Sequence, residues 1–106
     1  MTSKQAGALL GEGLSVDRFE VILLGKAEKF YNKASDDLVD RLNLCFEDLE
    51  VGPFQGPNIK LLKTQKSVRW YRYRVGDYRV VYEIDRESKK VCVILILHRS
   101  SVYRGM

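Results

Sequence analysis

The chain has 106 residues, 45% of them hydrophobic, a formal net charge of +4, two cysteines and one histidine. That length supports one domain with one modest core and no disulfide staples. No apolar run is long enough to span a membrane, and the N-terminus lacks the charged start and apolar block of a secretory signal, so a cytoplasmic protein is expected.

Residues 1–16 (MTSKQAGALLGEGLSV) hold three glycines and no sustained period, and are expected to form a flexible extension ahead of a domain over 17–106. Arg18 to Leu24 alternates weakly and then turns apolar, as a first strand does, and Gly25 stops it. From Lys26 to Lys33, Ala27, Phe30, Tyr31 and Ala34 share one helical face. Ser35 is a good N-cap, followed by Asp36 and Asp37 where the helix dipole favours negative charge. Leu38, Leu42, Cys45, Phe46 and Leu49 then recur at spacings of three and four, the stripe of a helix packed on a sheet, and Gly52-Pro53 ends it. Phe54 to Ser67 reads as a loop, with Lys60, Lys63 and Lys66 at a spacing of three. These lysines either solubilise a short apolar docking segment or contact phosphate.

Arg69 to Tyr82 (RWYRYRVGDYRVVY) contains two alternating runs around Gly76-Asp77, and a two-residue turn with glycine first predicts a type II' hairpin. Val75 then faces Tyr78, Arg74 faces Arg79, Tyr73 faces Val80, Arg72 faces Val81 and Tyr71 faces Tyr82. One face carries Tyr71, Tyr73, Val75, Tyr78, Val80, Tyr82 and Ile84, to be covered by the helices. The other carries Trp70, Arg72, Arg74, Arg79, Val81 and Glu83. Like charges directly opposite one another destabilise a strand pair, so Arg74 against Arg79 makes sense if an anion binds there. Arginine forks bind phosphate bidentately and stack on bases. A plain solvated basic face is the alternative, and Trp70 serves either packing or base stacking.

After a polar turn at Asp85 to Lys90, Val91 to Leu97 (VCVILIL) is apolar on both faces, as a central strand is. Pairing Val91 with Ile84 puts Ile96 opposite Arg79 and His98 near Asp77, on the arginine face. Any similar register brings His98, Arg99 and Tyr103 to the end of the sheet where Arg74 and Arg79 sit. Charge follows the same division: residues 1–50 carry 6 Lys/Arg against 10 Asp/Glu (−4), and residues 51–106 carry 12 against 4 (+8). A basic half of this kind fits a nucleic-acid or acidic protein partner.

With one histidine, no CxxC and Cys45 and Cys92 each in an apolar pattern, no metal, cofactor or disulfide is expected. Arginines that clamp a phosphate, together with His and Tyr protons, are sufficient parts for cleaving RNA by its own 2'-hydroxyl. An imidazole can give or take a proton near neutral pH, and His98 is read either as the base or acid or as a cap on the strand end. Tyr103 works by positioning and charge, or anchors the tail.

A strand, two helices, the run W-Y-R-Y-R-V-G-D-Y-R-V-V-Y-E-I-D, an apolar strand and the closing H-R-S-S-V-Y together resemble the RelE/ParE superfamily of bacterial toxins of type II toxin-antitoxin systems, over about residues 18–104, and most closely its RelE branch. The resemblance implies an α+β fold: a curved, mainly antiparallel sheet in the order β-α-α-β-β-β with two helices on one face. It implies a ribosome-dependent endoribonuclease that cuts mRNA in the A site, and a wrapping, acidic RelB-like antitoxin. Operator DNA would be bound only through the toxin-antitoxin complex. Arg79 matches the family arginine after the glycine turn, Arg99 the arginine of the closing motif, and Tyr103 its tyrosine. His98 matches a histidine that many relatives carry, and Arg72 and Arg74 fall where the family is basic. Trp70 stands where some relatives have a lysine. Arg79, Arg99 and Tyr103 are expected outside the core. Two other readings are a ParE-like toxin that inhibits DNA gyrase without chemistry and a non-catalytic nucleic-acid-binding co-repressor.

Overall fold

The computed structural model describes residues 18–62 and 69–101. The elements in chain order are β1 (Glu20–Leu23), α1 (Gly25–Lys33), α2 (Asp36–Val51), β2 (Ile59–Leu62), β3 (Trp70–Val75), β4 (Tyr78–Asp85) and β5 (Lys90–His98). They form an α+β fold in which one sheet, ordered β1-β5-β4-β3-β2, carries both helices; β1 runs parallel to β5 and every other pairing is antiparallel. The expected extension over residues 1–16 lies outside the described residues.

The helix signals act as local chemistry predicts. Ser35 Oγ accepts from Leu38 N at 3.2 Å, and Gly52 N donates to Asp48 O at 2.9 Å where α2 stops. The stripe of Leu38, Leu42, Cys45 and Leu49, with Ala27 of α1, packs on Tyr71, Tyr73, Val75, Val80, Tyr82, Val91, Val93 and Ile96. Tyrosine alternation thus puts one face of the hairpin against the helices. Burial of a phenol demands a partner for its hydroxyl. Tyr82 OH donates to Pro53 O at 2.8 Å, and Tyr73 OH donates to Asp48 of α2. The two rings of Tyr71 and Tyr82 stack across the hairpin with centroids 5.5 Å apart. Both cysteines are free, and burial pushes the Cys45 thiol well above its ordinary range.

Two details differ from the sequence reading. Ile59–Leu62, read within a loop, is a strand on the edge of the sheet, pairing Ile59 with Tyr73 through Leu62 with Trp70. Four residues, with Lys60 and Leu61 both exposed, carry no period of their own; pairing with β3 makes the strand. The order is therefore β-α-α-β-β-β-β. The second difference lies between β4 and β5. Ile84 does face Val91, but the register shifts between Val81 and Tyr82, which pair with Leu95 and Val93, so Ile94 is passed over as a bulge. Beyond it, Leu97 rather than Ile96 faces Arg79, and His98 faces Tyr78.

Burial, and then the bond to Asp48, pushes the Tyr73 hydroxyl up to about 12 from an ordinary 10, and burial raises Tyr82 further. The folded state keeps these protons where the unfolded chain has lost them, so their contribution is complete below pH 10 and is lost as pH rises through 12. Urea midpoints should fall steeply across that interval, and less steeply in Tyr73→Phe; a flat wild-type profile would contradict this account of the core.

Candidate functional site

The tip of the β3–β4 hairpin is built as its sequence dictates. Val75 faces Tyr78 and Arg74 faces Arg79. Gly76 adopts φ +58° and Asp77 keeps a negative φ, so within the turn only the glycine takes a positive φ, as a II' turn requires. Pleating then sends Arg72, Arg74 and Arg79 to the face opposite the helices.

Arg79 is corrected from its expected place outside the buried interior: it is only 6% exposed. Its side chain turns back on its own turn, Nη1 donating to Gly76 O and Tyr78 O at 2.9 Å each. Its Nε is buried without a partner. Among the described residues no carboxylate lies within ion-pair distance of it. Two carbonyls satisfy donors but leave a full positive charge uncompensated in a partly desolvated place, which is costly. Arg74, directly opposite, is exposed and adds a second positive charge.

The other predicted residues divide. Arg72 is half-buried, and its Nη1 donates to Asn58 O at 2.9 Å, the carbonyl that also accepts from Arg74 N. Trp70 is half-buried beside it on the same face, opposite Leu62. Arg99 joins the hairpin as expected: its backbone N–H donates to Asp77 O at 2.7 Å, and its Nε stands 4.0 Å from Asp77 Oδ1. His98 does not share the arginine face. The bulge reverses its side, so its ring meets Tyr78 edge-on at 5.5 Å, and Ser100 N and Oγ lie 3.4 and 3.1 Å from its Nδ1. An acceptor role for Nδ1 leaves the ring proton on Nε2. Lys63, Lys66 and Tyr103 lie outside the described residues.

Sequence reading missed one arginine at this tip. Arg41 of α2, whose Nε lies 3.5 Å from Asp37 Oδ2, extends over Gly76 so closely that a methyl group there would stand 2.6 Å from Arg41 Nη1. An Asp-Arg pair four residues apart is visible in the sequence; which helix face meets the turn is not.

Guanidinium groups from α2, β3, β4 and the end of β5 thus collect around one two-residue turn, facing the carboxylates of Asp37 and Asp77, which are 84% and 68% exposed. Among the described residues no three His, Cys, Asp or Glu side chains cluster to hold a metal ion. The chemistry this concentration of positive charge offers is anion binding, with an imidazole at the strand end.

The family model for the ParE toxin of type II toxin-antitoxin systems matches residues 21–103. The chain belongs to this family. It is therefore a RelE/ParE superfamily toxin, and solved structures share its fold. A chain of the archaeal RelE-RelB complex from Pyrococcus horikoshii has a TM-score of 0.67 at 21% identity, covering 77% of this chain and 96% of that one. The RelBE2 toxin-antitoxin complex of Mycobacterium tuberculosis gives 0.65 at 23%, covering 77% and 99%. The YoeB/ParE toxin from Agrobacterium tumefaciens gives 0.65 at 16%, covering 76% and 98%. No curated protein matches the sequence. In this ParE-family toxin the glycine turn carries the arginine cluster, with Arg72, Arg74 and Arg79 on the face opposite the helices and Arg41 reaching the turn from α2.

Arg74→Thr relieves the like-charge pair at an exposed strand position and should raise stability by a few tenths of a kcal/mol. The gain should shrink as salt screens the repulsion. Urea midpoints of both proteins at low and high ionic strength check this, and a loss of stability at both would remove the repulsion from the account.

Proposed function

We propose that the protein is a ribosome-dependent endoribonuclease of the RelE type, which cleaves mRNA in the ribosomal A site and so arrests translation. The observation that carries this reading is the buried charge of Arg79, held by two carbonyls with no carboxylate of the described residues in ion-pair reach, and flanked by Arg74 across the strand and Arg99 across Asp77. A phosphodiester is the anion that this arrangement lacks.

The reaction needs no cofactor. The RNA 2'-hydroxyl attacks the adjacent phosphorus, the bond from phosphorus to the 5'-oxygen breaks, and a 2',3'-cyclic phosphate and a 5'-hydroxyl result. One proton leaves the nucleophile and one joins the leaving oxygen. Guanidinium groups stabilise the added charge on the phosphorane. His98, exposed at the strand end, and Tyr103, assigned through the closing motif, are the proposed proton carriers. With His98 turned to the Tyr78 side, orientation and charge carry more of the rate than a well-placed base does, which accords with a requirement for the ribosome to align the substrate. Arg72, Arg74, Lys63, Lys66 and Trp70 are the proposed RNA contacts. The proposed partner is an acidic RelB-like antitoxin on the arginine face, with operator DNA bound through that complex, in the cytoplasm.

A second reading is favoured by the match to the ParE family model: a toxin that arrests growth through gyrase without cleaving RNA. The experiment that separates them expresses wild type, Arg79→Ala and Arg99→Ala and maps a translated and an untranslated copy of one message by primer extension. Cuts confined to the translated copy, lost in both mutants together with growth arrest, are expected. Growth arrest with intact messages would replace this reading by the gyrase one, and growth arrest undiminished in both mutants would remove the arginine cluster from either mechanism.

A further inference from the structure

From its position on the hairpin tip, we infer that Arg41 is a second phosphate-binding residue, contributed by the helix layer and engaging the phosphate next to the one at Arg79 along a single RNA strand. The inference rests on the ribonuclease reading and adds a residue and a subsite to it.

Three observations support it. First, Arg41 and Arg79 meet the same residue from different layers. Arg79 Nη1 bonds to Gly76 O at 2.9 Å, and Arg41 Nη1 lies against the side of Gly76 where a side chain would otherwise stand. Through the intervening bond lengths the two nitrogens are at most about 10 Å apart, close enough for one strand to reach both through neighbouring phosphates. Second, Arg41 is held but not neutralised. Among the described residues its one ion pair runs from Nε to Asp37 at 3.5 Å, with that carboxyl side chain 84% exposed and the arginine side chain itself 45% exposed to solvent. Pairs of this kind contribute little and screen little. Third, Arg41 joins a turn that already has Arg74, Arg79 and Arg99 around it, and the two exposed carboxylates there, Asp37 and Asp77, leave the local field net positive. A fourth positive charge there is unfavourable until a polyanion arrives, and a positively charged path that follows the backbone is how proteins hold single strands without reading bases.

The test measures binding rather than cleavage, so that it does not depend on the ribosome. A short fluorescein-labelled 2'-O-methyl oligoribonucleotide, which lacks the attacking hydroxyl, is titrated by anisotropy at a series of salt concentrations starting low. The proteins are wild type, Arg41→Ala, Arg41→Lys and Arg79→Ala, with melting temperatures recorded in parallel. Each phosphate contact contributes about 0.7 to the slope of log K against log salt for a single strand. The expected result is that Arg41→Ala lowers the slope by about that amount, that Arg41→Lys restores it because an ammonium still binds phosphate as a point charge, and that Arg79→Ala lowers it independently. A wild-type slope in Arg41→Ala alongside a reduced one in Arg79→Ala overturns the inference and leaves the ribonuclease reading standing. A wild-type slope with a lowered melting temperature also overturns it, assigning Arg41 to the support of the turn. Unchanged slopes in both alanine variants, or no binding by wild type at low salt, also overturn this inference, while the ribonuclease reading stands or falls by the primer-extension test.

Discussion

A single glycine in the left-handed region, Gly76 at φ +58°, is the constraint on which the rest of the molecule depends. A two-residue turn of this hand matches the twist of the strands it joins, so β3 and β4 pair without slippage. Register in a pleated pair has no intermediate settings: a shift of one residue would carry the tyrosines to solvent and the arginines under the helices. The same missing side chain opens the space that Arg41 occupies, so one residue sets the core face, the basic face and the approach of the helix layer.

The two faces of the hairpin obey opposite rules. On the helix side the deep tyrosine hydroxyls of Tyr82 and Tyr73 have partners in Pro53 and Asp48, because an unpaired hydroxyl there costs more than its burial returns. On the other side Arg79 faces Arg74 across the strands and its Nε has no partner. Violations of local stability rules that cluster at one spot, in a chain that otherwise satisfies them, mark the place where selection acted on something other than stability.

The bulge in β5 shows how a small irregularity redistributes chemistry. With Ile94 passed over, Ile96 drops into the core at 3% exposure while His98 crosses to the Tyr78 side. Arg99 then leaves the strand with its backbone N–H on Asp77 O, tying the end of the sheet to the hairpin tip. The imidazole and the strand arginines Arg74 and Arg79 end up at one end of the sheet, on different sides of it.

Much of this was legible in the residues alone. Ser35 announced the start of α2, the spacing of Leu38, Leu42, Cys45 and Leu49 its buried face, and Gly76-Asp77 the turn and the pairing of all five strand positions behind it. Local signals sufficed there because capping, helical period and turn conformation depend on residues a few positions apart. Three features could be settled only by tertiary structure. Ile59–Leu62 becomes a strand because β3 offers an edge, whatever its own pattern. The bulge was hidden because VCVILIL is apolar at both parities, so either register buries hydrophobic side chains and the pattern cannot choose between them. Arg41 reaches Gly76 because of how α2 lies on the sheet, a contact between residues 35 positions apart in the chain. Sequence alone determined which side chains share a strand face; the packing of one element on another decided which of them meet.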